Sequence, residues 1–535
     1  MALVPGLLLI LAALHQESTA TFPENSTGVH FIVAFPENIA YYHPDAPENK
    51  VQITALHYST SVTVMAHIFH TETKQLQAGD TWVYDLDARM ELKKSQISNN
   101  TLQITSTKPV AVRAINQKKD SMQTALVVSA DNLGTEYHIP PVPRIKGTTE
   151  PASSVSTDVT ERGPFKLIII NSDKANTVTL EGAESSEVSL APYQLAQFWV
   201  KESEAMRSVK AANPVAVLFG HPCAVVVNCT CGMLFTPLPP ANEEKLKFYV
   251  PPILAKDVES ETFLLLSDQA SLVPFNPDSS MVKASGTVLL YRPGMLLSLI
   301  PEEDFASCYI LNHIPNIENY AVLVVHKDQT DGVHLGSNPL SSPKWQEMKG
   351  TDYVSTNIVL TAGKNIIWHT SSKMAVYFVG KKGLAVFGNP APSISKTPDF
   401  RGCVLSPEVL EIGEVASGWP ESVKYCREKN LQLISLNEDV LQKQVSARLS
   451  QTADDKLKQV WIGLRRSSLT GEWYWVSKDP VTDTNWGQGE PGTVQDGQCA
   501  MMSLDTKKDF GWSDEDCCKT AIPVCYSGPV LLPVE

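Results

Sequence analysis

The segment from Cys403 onward restricts the fold more than any other part of the chain, because six of the ten cysteines fall within it. They sit among a fixed series of aromatic and turn residues. Trp461-Ile462-Gly463-Leu464 is followed in order by Glu490-Pro491-Gly492, Cys499, Trp512-Ser513-Asp514, Cys517 and Cys525. Ahead of that series, Trp419-Pro420-Glu421 opens a helix, with Pro at an early turn and Val423 and Cys426 three apart. Leu441, Val445 and Leu449, at spacings of four after Asn437, Glu438 and Asp439, predict a second helix opened by capping and first-turn acids.

From Phe31 to about Asn389 the pattern differs. Val, Ile, Leu, Thr and Tyr runs of roughly five to eight residues are broken by Pro, Gly, Asn and Ser, so this region is predicted to be all-β. A weak unit recurs in it, an apolar strand, a short Ser/Asn/Lys/Pro turn and a second apolar strand, with the Pro where the second strand begins. Clear copies run over 102–112, 209–217 and 366–376, with looser ones near Ile53, Ile168, Phe263 and Ile310. About seven units at roughly 40 to 65 residues suggest a seven-bladed propeller. The alternative is a row of three β-sandwiches of about 110 residues, suggested by the echo of Tyr137-His138-Ile139-Pro140-Pro141-Val142 in Tyr249-Val250-Pro251-Pro252-Ile253. Residues 145–163 are Thr-, Ser- and Glu-rich and predict an exposed loop. Residues 390–402, with Pro390, Pro392, Ser393, Ser395 and Pro398, have a linker's composition.

Residues 1–20 carry an apolar run ending in Ser18, Thr19 and Ala20, as a secretory leader does. No later stretch has the ~20 apolar residues of a membrane span, so an exported chain without a membrane anchor is expected. In that compartment ten cysteines point to disulfides. Sequons at Asn25, Asn99 and Asn228 are candidate glycosylation sites. A net charge of −14 with scattered Lys and Arg excludes nucleic acid as a natural partner. The twelve histidines form no His-Glu-x-x-His, and neither Gly-x-Ser-x-Gly nor a phosphate-cradling glycine loop occurs, so no enzyme is expected. Heptad and collagen repeats are absent as well.

The series between Trp461 and Cys525 resembles the C-type lectin-like domain, and residues 403–526 are assigned to it, with 527–535 as a tail. The resemblance implies an α+β fold in which Leu431 to Leu436 and Val460 to Leu464 are core strands and Gly471 to Val476 a hairpin leading into a long loop. It implies pairing of Cys426 with Cys525 and of Cys499 with Cys517. Cys518 is additional, and Cys403 lacks the second amino-terminal cysteine of long-form members, so a Cys403 to Cys518 bond is expected. Cys223, Cys229, Cys231 and Cys308 then remain as a staple of the β region with three connectivities open. Trp461, Trp475, Trp486 and Trp512 are expected to pack in the core. Ile32-Val33-Ala34-Phe35-Pro36-Glu37-Asn38, with the Pro-Val-Ala-Val repeats and the Cys223 to Cys231 segment, resembles the amino-terminal region of IgG Fc-binding protein and its relatives. That resemblance, carried across 21–389, implies an extracellular, mucus- or surface-associated binding region.

The lectin family's mannose-type site uses a Glu-Pro-Asn triplet, a Glu before the third cysteine, and the Asn-Asp of a Trp-Asn-Asp triplet to hold calcium against sugar hydroxyls. Here Glu490 and Asp514 remain as calcium ligands. Gly492 replaces the triplet's Asn, Ser513 replaces the second Asn, and Gly497 and Gln498 precede Cys499. Ligand-binding candidates are therefore Glu490, Gln498, Ser513 and Asp514, with Asp483 and Asp496 available to a rearranged loop. Calcium takes about six to eight oxygens, so the site is expected to be partly degenerate. The expected function is secreted glycan or protein recognition in mucosal or innate defence. The alternative is a matrix or adhesion scaffold whose lectin-like domain binds protein without calcium.

Overall fold

The structure, a computed structural model, describes residues 26–533 apart from 41–45, 67–69, 120, 144–164, 183–184, 201–207, 228–229, 256–261, 293, 384, 453–457, 494 and 496. The leader at 1–20, Asn25, Asn228, Cys229, Asp496 and the loop at 145–163 lie outside the described residues. The chain divides into two compact units, Met1–Val404 with Leu532–Glu535, and Leu405–Leu531.

The first unit is built from one supersecondary pattern used four times. In the first copy a long central strand, Leu102–Lys118, pairs through its first half with Gly28–Val33 and Thr60–Ala66. Its second half pairs with Glu48–Ala55 and Ser121–Leu126. The second copy repeats this around Ser208–Val227, with Gly134–His138 and Asn176–Glu181 on the first half, Phe165–Asn171 and Thr230–Leu238 on the second. In the fourth copy the central strand is split into Lys364–His369 and Ala375–Lys382, with the same pairing order. The third is reduced: Met281–Ser285 pairs with Lys245–Tyr249, and Val288–Arg292 with Phe263–Leu266 and Met295–Ser298. Bent central strands shared between two sets of neighbours make each sheet a half-barrel.

The recurring sequence units at 102–112, 209–217 and 366–376 therefore mark central strands and not blades. The looser copies at Ile53, Ile168, Phe263 and Ile310 fall on their neighbours within the same four repeats. Pro109 and Pro214 sit where a central strand changes partners. A missing N–H costs least at such a point. Seven four-stranded blades are not what the described sheets form. The Tyr137 and Tyr249 echo is real repeat periodicity, since both residues close the opening strand region of successive copies.

Strands covered on both faces read as unbroken apolar runs. In Phe165–Asn171, Phe165, Leu167 and Ile169 enter one core while Ile168 and Ile170 enter the core of the preceding repeat. Leu265 and Leu264 divide in the same way between the second and third cores. Ala321, Leu323 and Val325 share a fourth core with Ile115 and Met122 of the first repeat. Each core thus joins consecutive repeats, and the last joins the first. Ser121–Leu126, Thr230–Leu238, Met295–Ser298 and Ala385–Pro390 correspondingly pack in a closed cycle. Polar contacts tie that cycle: the Thr124 hydroxyl donates to Asn389 Oδ1 at 2.7 Å, and Gln123 Nε2 to the Phe235 carbonyl at 3.0 Å.

A buried tyrosine recurs with the repeat. Tyr309 Oη accepts the Ala306 N–H at 3.0 Å and donates to the Met374 carbonyl at 2.6 Å. Tyr137 does the same between Gly134 and Val215. Each fastens an opening strand to the bend of its central strand.

Residues 390–402 are not an open linker. Ser393–Ser395 pairs with Cys308 and Tyr309, and Ala391 and Ile394 are buried. Proline and serine fit an edge strand as well as a linker. That course carries Cys403 to Cys308, and the two are bonded with Cα atoms 5.5 Å apart. Cys403 therefore does not pair with Cys518, which is exposed and free, and Cys308 leaves the proposed four-cysteine staple. Cys223 is also disulfide-bonded.

The second unit contains helices Trp419–Glu428 and Asp439–Thr452. Its sheet has the order Val409–Ile412, Ile522–Ser527, Gln459–Arg466, Cys499–Ser503, Trp512–Glu515. Leu441, Val445 and Leu449 bury one helical stripe against Ile462, Leu464 and Trp475. Gly463 is required where it stands, because a Cβ would come within 2.7 Å of the Leu433 carbonyl oxygen. Cys426–Cys525 and Cys499–Cys517 are bonded.

Candidate functional site

Trp461, Trp475 and Trp512 are fully buried and Trp486 packs partly buried beside them. The Trp486 and Trp512 rings meet edge to face with centroids 5.7 Å apart. These side chains are packing groups. They hold the loop from Trp475 to Cys499 against the strand Trp512–Glu515. Gly487 donates its N–H to the Trp512 carbonyl at 2.8 Å, and Trp512 donates to the Asn485 carbonyl at 2.7 Å. The Glu490–Pro491 peptide is cis.

This anchoring brings Glu490, Gly492 and Asp514 together. The Gly492 N–H donates to Asp514 Oδ1 at 2.9 Å. Asp514 is buried and its Oδ2 has no hydrogen-bond partner. The Glu490 carboxyl is held above its ordinary value, first by burial and next by the neighbouring Asp514 carboxylate. Two like charges share one place, with one free lone-pair oxygen buried between loop and strand.

Ser513 and Asp483 do not converge there, and no side-chain hydrogen bond joins Gln498 to the pair among the described residues. Successive residues of a strand face opposite ways. Ser513 accordingly turns to Glu515, with Oγ and Oε1 3.3 Å apart, away from Asp514. Glu515 is itself paired with Lys519 at 3.0 Å. Gln498 is drawn to the neighbouring strands by backbone bonds, its N–H to the Glu515 carbonyl and its carbonyl accepting from Arg466. Gly497 permits that approach, since a Cβ would lie 2.4 Å from the Glu515 nitrogen. Asp483 is exposed.

Calcium binds about six to eight oxygens. Glu490 and Asp514 contribute carboxylates, but Asp514 Oδ1 is already committed to Gly492, and Gly492 has no side chain. Among the described residues no three His, Cys, Asp or Glu side chains come together as a metal-binding group. This donor set does not fit a complete calcium shell. Of the candidate glycosylation residues, Asn99 is described and exposed.

Arg466 and Trp473 were not among the sequence candidates. Their side chains pair across the hairpin, with the guanidinium carbon 5.2 Å from the indole centroid. The doublet Arg465-Arg466, the one pair of adjacent arginines in the sequence, was the available signal.

Comparison with known proteins places these features. Residues 415–527 match the lectin C-type domain family, and residues 17–208 match the IgGFc binding protein family. Human IgGFc-binding protein is 23% identical over 442 residues, which cover 74% of this chain and 8% of that protein. C-type lectin lectoxin-Phi1 of Philodryas olfersii is 31% identical over 101 residues, covering 18% of this chain and 64% of the lectoxin. The structure of human lithostathine aligns at 24% identity over 22% of this chain and 90% of its own, with a TM-score of 0.21. The chain spans less than two thirds of the length of either curated relative. The chain thus joins a region similar to the IgGFc binding protein family, at 17–208, to a region similar to the lectin C-type domain family, at 415–527.

Proposed function

We propose that the chain is a secreted recognition protein of mucosal or innate defence whose C-terminal domain binds a glycan or protein ligand without a calcium bridge. The observation that carries this reading is the commitment of Asp514 Oδ1 to the Gly492 N–H. In a mannose-type site both positions would serve calcium and sugar. Here they serve each other, and Ser513 faces away. Disulfides at Cys308–Cys403, Cys426–Cys525 and Cys499–Cys517 support an oxidising, extracellular setting. Among the described residues no helix is long and apolar enough to cross a membrane.

The repeated β unit supplies a second binding surface. The human relative's name assigns Fc binding to that protein, and IgG Fc is the protein ligand to test first on this unit. The C-terminal reading is tested by retaining the full chain on an immobilised panel of neutral and acidic glycans, with calcium and then with EDTA. Retention that survives EDTA is expected. Retention on mannose released by EDTA would overturn the calcium-free reading.

A further inference from the structure

Unsatisfied buried donors concentrate at one end of the lectin-domain sheet. Arg466 Nε and Nη1 and Trp473 Nε1 are all buried without an acceptor. Arg466 has no acidic partner among the described residues, in a chain whose net charge is −14. Buried N–H groups without partners are rare in native proteins and call for a water, an ion or a ligand atom. A guanidinium presents its donors as a planar fork that matches an oxyanion.

The position of these donors relates them to the site already described. Arg466 pairs with Trp473 on one side, and its backbone N–H donates to the Gln498 carbonyl on the other. One strand further on, Ala500 pairs with Asp514. By alternation Arg466, Trp473, Gln498 and Asp514 share one face of the sheet. The Trp473 and Trp486 rings, tilted at 54° to each other with centroids 4.8 Å apart, wall the donors on that face.

We propose that Arg466 and Trp473 form a subsite for the carboxylate or sulfate of an acidic saccharide. The guanidinium fork and the indole N–H grip the oxyanion, and Gln498, on the same face of the adjacent strand, supplies the amide for a sugar hydroxyl. This rests on the ligand-recognition reading of the C-terminal domain and names its ligand class. Three donors inside an aromatic niche suit one compact charged group on a sugar better than the broad face of a protein.

The test uses the full chain with nitrogen-15 labelled indoles. Sodium sulfate, a 6-sulfated galactose and unsulfated galactose are titrated separately, with chloride at matched ionic strength as control. The Trp473 resonance, identified by its loss in Trp473→Phe, should shift with sulfate and with the sulfated sugar but not with chloride. Arg466→Lys keeps the charge without the fork and should weaken both at least about tenfold. An unmoved resonance, or an unchanged response in Arg466→Lys, would overturn the subsite. A shift with inorganic sulfate but not with the sulfated sugar would overturn the saccharide class. Glycan-panel retention that survives Arg466→Lys without any acidic preference in either protein would sink the subsite while leaving the proposed function intact. Loss of all panel retention beside an intact sulfate response would do the reverse to the proposed function and to the saccharide class.

Discussion

Replacing Cys308 and Cys403 together by Ser tests the course of the chain at the end of the first unit. The bond spans a sequence separation of 95 residues. Cross-linking a loop of that size removes chain entropy from the unfolded state worth about 4.7 kcal/mol at 25 °C. The shorter Cys499–Cys517 link spans 18 residues and on the same relation contributes about 3 kcal/mol. The double variant should therefore lose more stability than Cys499→Ser/Cys517→Ser, while Cys518→Ser should leave stability within about 0.5 kcal/mol of the parent because that thiol is exposed and free. Denaturant unfolding followed by circular dichroism measures the midpoints, and non-reducing peptide mapping identifies the links. A Cys403 to Cys518 peptide in the map would refute the reasoning. So would a Cys518→Ser variant as destabilised as the Cys308/Cys403 pair.

Tyr137→Phe and Tyr309→Phe each delete a buried hydroxyl that accepts one backbone N–H and donates to one backbone carbonyl, so each should cost about 1–3 kcal/mol, two ordinary hydrogen bonds. Similar losses by denaturant unfolding support the repeat equivalence, and a neutral effect at either position contradicts it. The raised Glu490 pKa means that the folded state holds this proton more tightly than the unfolded chain. Its favourable contribution is complete below the ordinary glutamate value and is lost as pH rises through the folded one. Glu490→Gln should accordingly be more stable than the parent at pH 7 and equal to it near pH 4, as read by thermal melts across that range. Asp514→Asn should flatten the same pH dependence, because it removes the charge facing Glu490.

Local signals carried the elements. Leu441, Val445 and Leu449 marked a helix because one spacing placed all three on its buried stripe, and the β-branched runs marked strands. Connectivity between distant elements was less legible. The strands around Pro109 and Pro214 read as pairs, since nothing local distinguishes a break from a bend where the hydrogen-bond partners change. Counting those pairs inflated four repeats to seven. Cys308 and Cys403 meet only because Ser393–Ser395 adds to the sheet that contains Cys308, a contact without a sequence motif. At the candidate site, Glu490 and Asp514 were found by their place in the motifs. Alternation along Trp512–Glu515 separates Ser513 from them, and motif matching alone does not test which face a residue occupies. Arg466 escaped notice because its orphaned donors become visible only once Trp473 and Gln498 are folded against it.

Calorimetric titration of calcium into the full chain, beside Glu490→Ala and Asp514→Ala, tests the calcium-free site most directly. The donor set predicts no saturable heat and no thermal stabilisation by calcium in any of the three proteins. Saturable binding in the micromolar to millimolar range that both substitutions abolish would contradict it and restore a calcium-bridged site.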